Sequence, residues 1–207
     1  MPRTSAKGSP VRPLPEPDPA PVPERLLTQA VRLFAQRGFE GTSVQEIVEA
    51  AGVTKGAMYH YFASKDDLLF EIYHRLLSLQ AARLSAIADG PGTAEERARA
   101  AAADVVETTL GSIDEAIVFF RSMHMLPRDK QAAVRADRRR YHERFRALVE
   151  EGQRAGSFRA DVPGDVAVHF FFGAVNQLGT WYRHGGGLSP QQVAEHYAEL
   201  FLAGLQA

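Results

Sequence analysis

Lysine, tyrosine and histidine side chains share one face of a short predicted helix in the segment TKGAMYHYF, which begins at residue 54. Lys55 and Tyr59 lie on the same side because positions four apart are close together on a helix, and His60 is the next outward-facing residue. A lysine can reach a guanine edge or a phosphate, while tyrosine and histidine suit phosphates or thymine methyl groups. Gly56 lies on this face and would allow close approach to a groove. These residue types favour nucleic-acid contact, and the alternative is an ordinary solvated face.

Two short helices joined by a tight turn are predicted to position these side chains. Four apolar residues recur at helical spacing in the first helix: Val44, Ile47, Val48 and Ala51. Gly52 then provides the left-handed backbone that ends a helix, and Thr54 caps the second helix, which runs from Lys55 to Phe62. The pattern predicts a helix-turn-helix whose second helix enters the major groove of DNA.

Phosphate contacts are also predicted at the helix starts, where free amides and hydroxyls can bind anions. The residues concerned are Thr42, Ser43, Thr54 and Lys65. Plain capping of the helices is the alternative role for the hydroxyls. The net charge of −1 does not itself indicate a nucleic-acid partner, but no acidic residue occurs between residues 52 and 65. So small a positive face predicts binding that is salt-sensitive and strengthened by dimerisation.

The composition of this 207-residue chain, with 45% hydrophobic and 24% charged residues, is typical of a soluble globular protein. The absence of cysteine excludes disulfides and thiolate metal sites. The seven histidines lack metal-binding spacing, and no catalytic motif stands out, so we expect neither an enzyme nor a bound metal or cofactor. No apolar run approaches the roughly 20 residues of a membrane span, and no signal peptide is evident. We therefore expect a cytoplasmic protein with no membrane partner.

Helical periodicity along most of the chain predicts an all-α fold of about nine helices. Residues 1–22 hold seven of the twelve prolines and are predicted to form a disordered leader. Residues 23–70 form the predicted DNA-binding domain, and residues 71–207 form a second helical domain. A long helix from residue 64 to about residue 88 links the two. Later helices are expected near residues 93–110, 112–126, 128–155, 163–184 and 189–206.

The last two predicted helices are unusually apolar and carry few charges. Five of their residues are predicted to form an interface with a second copy of the chain: Phe170, Gly173, Leu178, Tyr197 and Phe201. A wide apolar face of this kind is better explained by pairing with a copy of itself than by exposure to water. A two-fold homodimer would also place two helix-turn-helix units to read a palindromic site.

Residues 24–73 resemble the TetR family of bacterial transcriptional regulators. The resemblance rests on RGFEGTSVQEIVEAAGV followed by TKGAMYHYFASKDDLL, which spans three helices and the start of a fourth. Tyr61, where many members carry histidine, is a mild departure. The resemblance implies a homodimeric repressor of double-stranded operator DNA, with residues 71–207 binding a small-molecule effector and dimerising. Effector binding would shift the fourth helix and release the DNA.

A second resemblance concerns the segment from residue 173, GAVNQLGTWYRHGGGLSPQQVAEHYAELFLAGL. It is similar to TetR members that sense acyl-coenzyme A thioesters in fatty-acid, aromatic or steroid catabolism. The predicted effector contacts are Phe119, Met123, Trp181 and Arg183. Residues 135–146 are strongly basic and could hold nucleotide phosphates, or could be a solvated, salt-bridged helix face. Ordinary core is the alternative for the first two contacts, and a dimer interface for the other two.

Two alternatives to an acyl-coenzyme A regulator stay open on the sequence. One is a TetR-like repressor that senses a free hydrophobic compound such as a drug or antibiotic. The other is a helical binding protein whose helix-turn-helix is only structural and does not contact DNA.

Overall fold

A computed structural model describes residues 20–206 of the chain. Within that range there are ten α-helices and one 3₁₀ turn, Met123–Met125, and the sole β contact is an isolated bridge between Phe158 and Gln206. The helices are α1 (Val22–Arg37), α2 (Val44–Ala51), α3 (Lys55–Tyr61), α4 (Lys65–Ala88), α5 (Ala94–Gly111), α6 (Ile113–Ser122), α7 (Arg128–Arg154), α8 (Gly164–Val175), α9 (Leu178–Trp181) and α10 (Pro190–Ala203). Because α9 is a single turn, the expected all-α fold of about nine helices is confirmed.

The predicted proline-rich leader falls almost entirely on residues 1–19, which lie outside the described residues. The chain enters α1 at Val22, with Pro21 at the N-cap and Pro23 in the first turn, where a missing amide donor costs nothing. None of the helices in residues 20–206 combines the length and the apolar composition needed to cross a membrane.

Local capping defines the N-terminal helices. The Ser43 side chain accepts a hydrogen bond from the Glu46 amide, and the Glu46 carboxylate accepts one in return from the Ser43 amide, which makes a capping box at α2. Gly52 ends α2 in the left-handed conformation, at φ 63°. The Thr54 hydroxyl then accepts from the Ala57 amide and starts α3. The predicted helix-turn-helix is therefore present, and its turn is fixed by residues within it.

Two apolar cores hold the helices together. The first is formed mainly by α1–α4, but it also includes Val118 and Phe119 of α6, Leu126, and Val134 of α7. The second joins the end of α4 to α5, α7, α8, α9 and α10. Side-chain packing therefore continues across residue 70, where the sequence predicts a domain boundary.

The single helix predicted over residues 163–184 is wrong, because the chain turns after Val175 and forms the separate α9. The Gln177 amide donates to the Ala174 carbonyl at 3.1 Å, a bond one residue shorter in span than that of an α-helix. At Gly179 an added Cβ would lie 2.9 Å from Ile117 Cγ1, so glycine allows α9 to pack tightly on α6. Tyr182 then leaves the helical region, with ψ 140°.

Candidate DNA interface and ligand cavity

The outer face of α3 is the exposed surface of the helix-turn-helix, and we call it the recognition face. It consists of Thr54, Lys55, Gly56, Tyr59 and His60, all of them exposed. Met58, on the opposite side of α3, is fully buried in the first core, so the helix is anchored through one residue and open on the other side. A Cβ on Gly56 would meet no atom of the chain closer than the Thr54 hydroxyl, at 3.8 Å. Internal packing therefore gives no reason for a glycine here, which is consistent with close approach by an external partner.

Tyr61 extends the recognition face by one residue that the sequence did not single out. Its side chain is exposed, and its ring contacts His60 edge-on, with ring centroids 4.9 Å apart. The two aromatic rings support each other at the C-terminal end of α3.

Two of the predicted phosphate contacts have structural roles instead. Thr42 is only 1% exposed, and its hydroxyl donates to the Gly38 carbonyl at 2.8 Å. The Lys65 ammonium donates to the Phe39 and Thr42 carbonyls at 2.8 and 2.9 Å and lies over the Phe39 ring. Both side chains are thus used to fix the loop between α1 and α2, which corrects the prediction for them. Ser43 is exposed, but the Glu46 carboxylate already occupies the adjacent amide.

A small cavity lies among α4, α5, α6, α7 and α8, with a volume of about 50 Å³. Its wall is mainly apolar and includes four aromatic residues, Phe119, Phe120, Tyr141 and Phe172. Five further lining residues carry groups that can hydrogen-bond or ionise: Gln80, Thr109, Arg138, His142 and Asn176. An apolar cavity with a few polar groups is typical of a small-molecule site.

A basic cleft of about 610 Å³ adjoins this cavity along α7. Four arginines and two acidic residues contribute to its lining: Arg135, Arg138, Arg139, Arg146, Glu143 and Asp165. Met123, His142 and His169 complete the lining. Because Arg138 and His142 belong to both the cavity and the cleft, the two spaces meet at these side chains.

The charges at this junction are unusual. The Arg138 guanidinium lies 5.7 and 5.8 Å from the ring centroids of Phe119 and Phe120, and burial lowers its pKa. No acidic side chain in residues 20–206 forms an ion pair with it. The His142 ring stacks on Phe172 at 4.1 Å, and burial, helped by the Arg138 charge, lowers the His142 pKa to about 4. His142 is therefore neutral near pH 7, and Arg138 is the cation between the two spaces.

The four predicted effector contacts divide into two pairs. Phe119 lines the cavity and Met123 lines the cleft, so both stay predicted effector contacts. Trp181 and Arg183 line neither, which corrects the prediction for them, because the break after α8 carries them away. Trp181 is half-exposed and stacks on Tyr197, and Arg183 donates to the Tyr182 carbonyl at 2.8 Å.

Three residues that line the cavity were not predicted as site residues, although two features of the sequence concern them. Gln80 interrupts the apolar stripe of α4 between Leu76 and Leu84 and is nevertheless buried. Arg138 and His142 belong to the basic segment 135–146, whose periodicity does not reveal which of its residues face inward.

An exposed apolar face runs along α8 and α10. Phe170 and Leu200 are each 73% exposed, and Val166 is also exposed. Gly173 is exposed, and a Cβ there would meet no atom of the chain within 4 Å, while Tyr197 is partly buried. Leu178 and Phe201, by contrast, are buried in the second core, which corrects their predicted place in a dimer interface.

A hydrogen bond connects the cavity wall to the helix that carries the helix-turn-helix. The Tyr73 hydroxyl of α4 donates to the Val118 carbonyl of α6 at 3.1 Å, and burial raises the Tyr73 pKa. The Tyr73 ring packs edge-on against Phe119, with centroids 4.9 Å apart. Nearer the start of α4, Asp67 forms an ion pair with Lys130 of α7.

Across residues 20–206, no group of three or more His, Asp or Glu side chains is arranged to hold a metal ion.

Comparison with known proteins places these features in one family. Residues 26–72 match the family described as "Bacterial regulatory proteins, tetR family", and residues 91–205 match "Tetracyclin repressor-like, C-terminal domain". The transcriptional repressor KstR2 of Rhodococcus jostii is 30% identical over 186 residues, covering 87% of this chain and 89% of that protein.

Solved structures give the same result. The ketosteroid transcriptional regulator KstR2 of Mycobacterium tuberculosis superposes with a TM-score of 0.83 and 25% identity, covering 92% of this chain and 97% of that one. AibR, solved in complex with isovaleryl coenzyme A and operator DNA, has a TM-score of 0.77 and 26% identity, with 87% of this chain and 97% of that one covered. Both KstR2 proteins are named as transcriptional regulators, and the matches extend over both the helix-turn-helix and the C-terminal helices. The chain belongs to the TetR family of DNA-binding transcriptional repressors.

Proposed function

We propose that this protein is a homodimeric repressor whose affinity for its operator falls when an acyl-coenzyme A thioester binds between α4 and α8. The observation that carries the proposal is the junction at Arg138, where an apolar cavity meets a basic cleft. Such a ligand has an apolar acyl group for the cavity and a phosphate-bearing nucleotide for the cleft. The complex of AibR with isovaleryl coenzyme A supports the same ligand class.

Electrostatics favour an anionic ligand over a free hydrophobic compound. A partly buried guanidinium without an acidic partner is poorly solvated, so an anion placed beside it would be stabilised. Arginine binds phosphate with paired hydrogen bonds, and Arg135, Arg139 and Arg146 extend the positive surface outward. A free hydrophobic compound, the alternative effector, would fill the cavity but would place no anion beside Arg138.

DNA contact is assigned to the recognition face. Lys55 would bind a phosphate or a guanine edge, Tyr59 and His60 phosphates or thymine methyl groups, and Gly56 would lie against the groove. Ser43 and Thr54 are exposed at helix starts and can add phosphate contacts. One recognition helix reads only a half-site, so two copies are needed for a palindromic operator.

The second copy would pack on the exposed apolar face of α8 and α10. Phe170 of α8 and Leu200 of α10 are large exposed apolar side chains, and at Gly173 of α8 the missing side chain leaves room for close approach. Exposed apolar surface of this kind marks an interaction site. Because α8 also packs on α7 beside the basic cleft, the interface and the effector site share an element.

Expansion of the cavity would couple effector binding to DNA release. The cavity of about 50 Å³ has room for only a few waters, at roughly 10–15 Å³ each, so an acyl group must displace its aromatic wall. Phe119 in that wall packs on Tyr73 of α4, and α4 begins directly after the recognition helix. A shift of α4 would change the spacing of the two recognition helices. An effector that binds the shifted state more tightly then lowers operator affinity.

Release of the protein from the DNA upstream of its own gene tests this function. We expect acyl-coenzyme A thioesters to dissociate the complex in a gel-shift titration and the matching free acids to have no effect. Arg138→Gln should raise the thioester concentration for half-release by about tenfold or more, because a charge-assisted contact is lost. Arg154→Gln, a matched change in the last turn of α7 outside the cleft, should not. Release by free acids alone would favour the free hydrophobic effector.

A further inference from the structure

One wall of the cavity carries hydrogen-bonding side chains that the proposed function does not use. Gln80 of α4 and Thr109 of α5 are 9% and 5% exposed, and the Gln80 amide donates to the Thr109 hydroxyl at 3.4 Å. The Thr109 hydroxyl in turn donates to the Val105 carbonyl within α5, at 2.6 Å. Asn176, directly after α8, lines the cavity beside them. We call these three residues the polar wall.

The polar wall has hydrogen-bonding capacity to spare. A glutamine side chain offers two N–H donors and a carbonyl that can accept two hydrogen bonds. Within residues 20–206 the Gln80 side chain makes one long hydrogen bond, and the Asn176 side chain makes none. Buried polar groups in folded proteins are normally paired, so the unused groups of the buried Gln80 side chain, which faces the cavity, point to a ligand with a matching polar atom.

Two residues of the polar wall border a second opening of the cavity, separate from the basic cleft. Thr109 and Asn176 also line a second groove of about 190 Å³, formed by α6 and the chain around α9. Arg138 and His142 connect the cavity to the basic cleft instead. This groove and the basic cleft have no lining residue in common, so a ligand that enters the cavity past Arg138 can also reach the polar wall, which is not part of the basic cleft.

We propose that the acyl group of the effector carries an uncharged oxygen, as a keto or hydroxyl group, remote from its thioester, and that the Gln80 amide, held by the Thr109 hydroxyl, donates its second N–H to this oxygen. The inference rests on the proposed acyl-coenzyme A function. An amide can donate to a neutral oxygen, whereas a carboxylate buried beside it would have no balancing cation. A plain hydrocarbon acyl chain would leave the polar wall desolvated and unpaired, which selects against it.

Matched pairs of thioesters test the inference. Straight-chain acyl-coenzyme A thioesters of five to ten carbons would be compared with the same thioesters carrying a keto group next to the terminal carbon. The measurements are the dissociation constant by calorimetry and the concentration for half-release of the operator duplex. For the wild-type protein we expect the keto member of the best-fitting pair to bind about tenfold more tightly, the value of one hydrogen bond that is otherwise left unmade.

Variants identify the side chains responsible. Gln80→Met keeps the length of the side chain and removes its hydrogen-bonding groups, so it should abolish the preference for the keto member. Thr109→Val removes the oxygen that holds the Gln80 amide, so it should reduce the preference for the keto member, and it provides a second variant in case the first fails to fold. Leu77→Met, an apolar exchange in the same cavity, should alter both members of a pair equally and preserve the preference.

The outcomes separate this inference from the proposed function. Equal binding of both members at every length, or a preference unchanged in Gln80→Met and Thr109→Val, would overturn the inference and leave acyl-coenzyme A sensing intact. Tighter binding of thioesters with a terminal carboxylate would also overturn it, in favour of Arg121 in the second groove. If no thioester binds at all, the proposed function fails and the inference fails with it.

Discussion

Lys55 and Tyr59 project from α3 without contributing to the core, whereas Met58, between them in the sequence, is fully buried. Substitution of exposed residues of this kind usually changes stability by less than about 0.5 kcal/mol. Lys55→Ala combined with Tyr59→Ala should therefore leave the protein folded but weaken operator binding, with a salt dependence reduced by about one phosphate contact. Fluorescence anisotropy at several salt concentrations measures both effects. A folded double variant that binds its operator as tightly as the wild type would refute the DNA-contact assignment.

The lowered pKa of His142 should make the free energy of unfolding depend on pH. Burial lowers its pKa from 6.5 to about 4 in the folded protein, so between these values the unfolded chain binds more protons. Stability should consequently fall as the pH decreases from 6.5 towards 4. Because the ring is partly exposed, we expect a loss of only about 1 kcal/mol between pH 7 and pH 5. Urea denaturation of the wild type and of His142→Gln at pH 7 and pH 5 measures this loss of stability. An equal loss in the two proteins would show that His142 is not its cause.

Substitutions at two glycines of the helix-turn-helix distinguish an effect on the stability of the domain from an effect on DNA binding. Gly56 lies within α3 with room for a methyl group, so Gly56→Ala should stabilise the domain by about 0.5–1 kcal/mol. The added methyl group would face the DNA, and operator affinity should fall. Gly52 has φ 63°, and a Cβ there would lie 2.9 Å from the Arg25 guanidinium, so Gly52→Ala should cost about 1–2 kcal/mol.

Thermal denaturation and operator titration of the two glycine variants distinguish these effects. Loss of affinity with increased stability in Gly56→Ala cannot arise from unfolding and would report contact with the groove. Unchanged affinity in that variant would mean that α3 does not approach the groove closely at this residue.

At the scale of the element, the break between α8 and α9 shows that apolar periodicity alone does not predict where a helix ends. The apolar pattern from residue 163 to residue 184 is compatible with one helix, and each turn of it would be stable locally. The close packing of Gly179 on Ile117 of α6 instead favours a turn after Val175. That contact joins residues more than 60 positions apart, so local pattern alone does not contain it.

For the whole molecule, the exposed apolar face predicts how the protein assembles. Leu200 is 73% exposed in the single chain, so Leu200→Asp should leave the fold of each subunit intact while placing a charge in the proposed interface. Light scattering should show monomers, and affinity for a palindromic operator should drop steeply, because each recognition helix would then bind alone. Leu79→Asp, at another half-exposed leucine on α4, is the matched control. A variant that remains dimeric at Leu200 would place the interface elsewhere.

The amino-acid sequence by itself determined the helix-turn-helix, because Ser43, Gly52 and Thr54 act through hydrogen bonds and backbone angles within a few residues of themselves. The same local signals predicted the linking helix α4 and the all-α class. Only the tertiary structure decided which side chains meet at the cavity. Gln80, Thr109 and Arg138 come from three helices, and their convergence depends on how those helices pack. Packing also places Trp181 away from the cavity. The sequence did not predict this position because long-range contacts, unlike helix caps, have no fixed spacing between the residues involved.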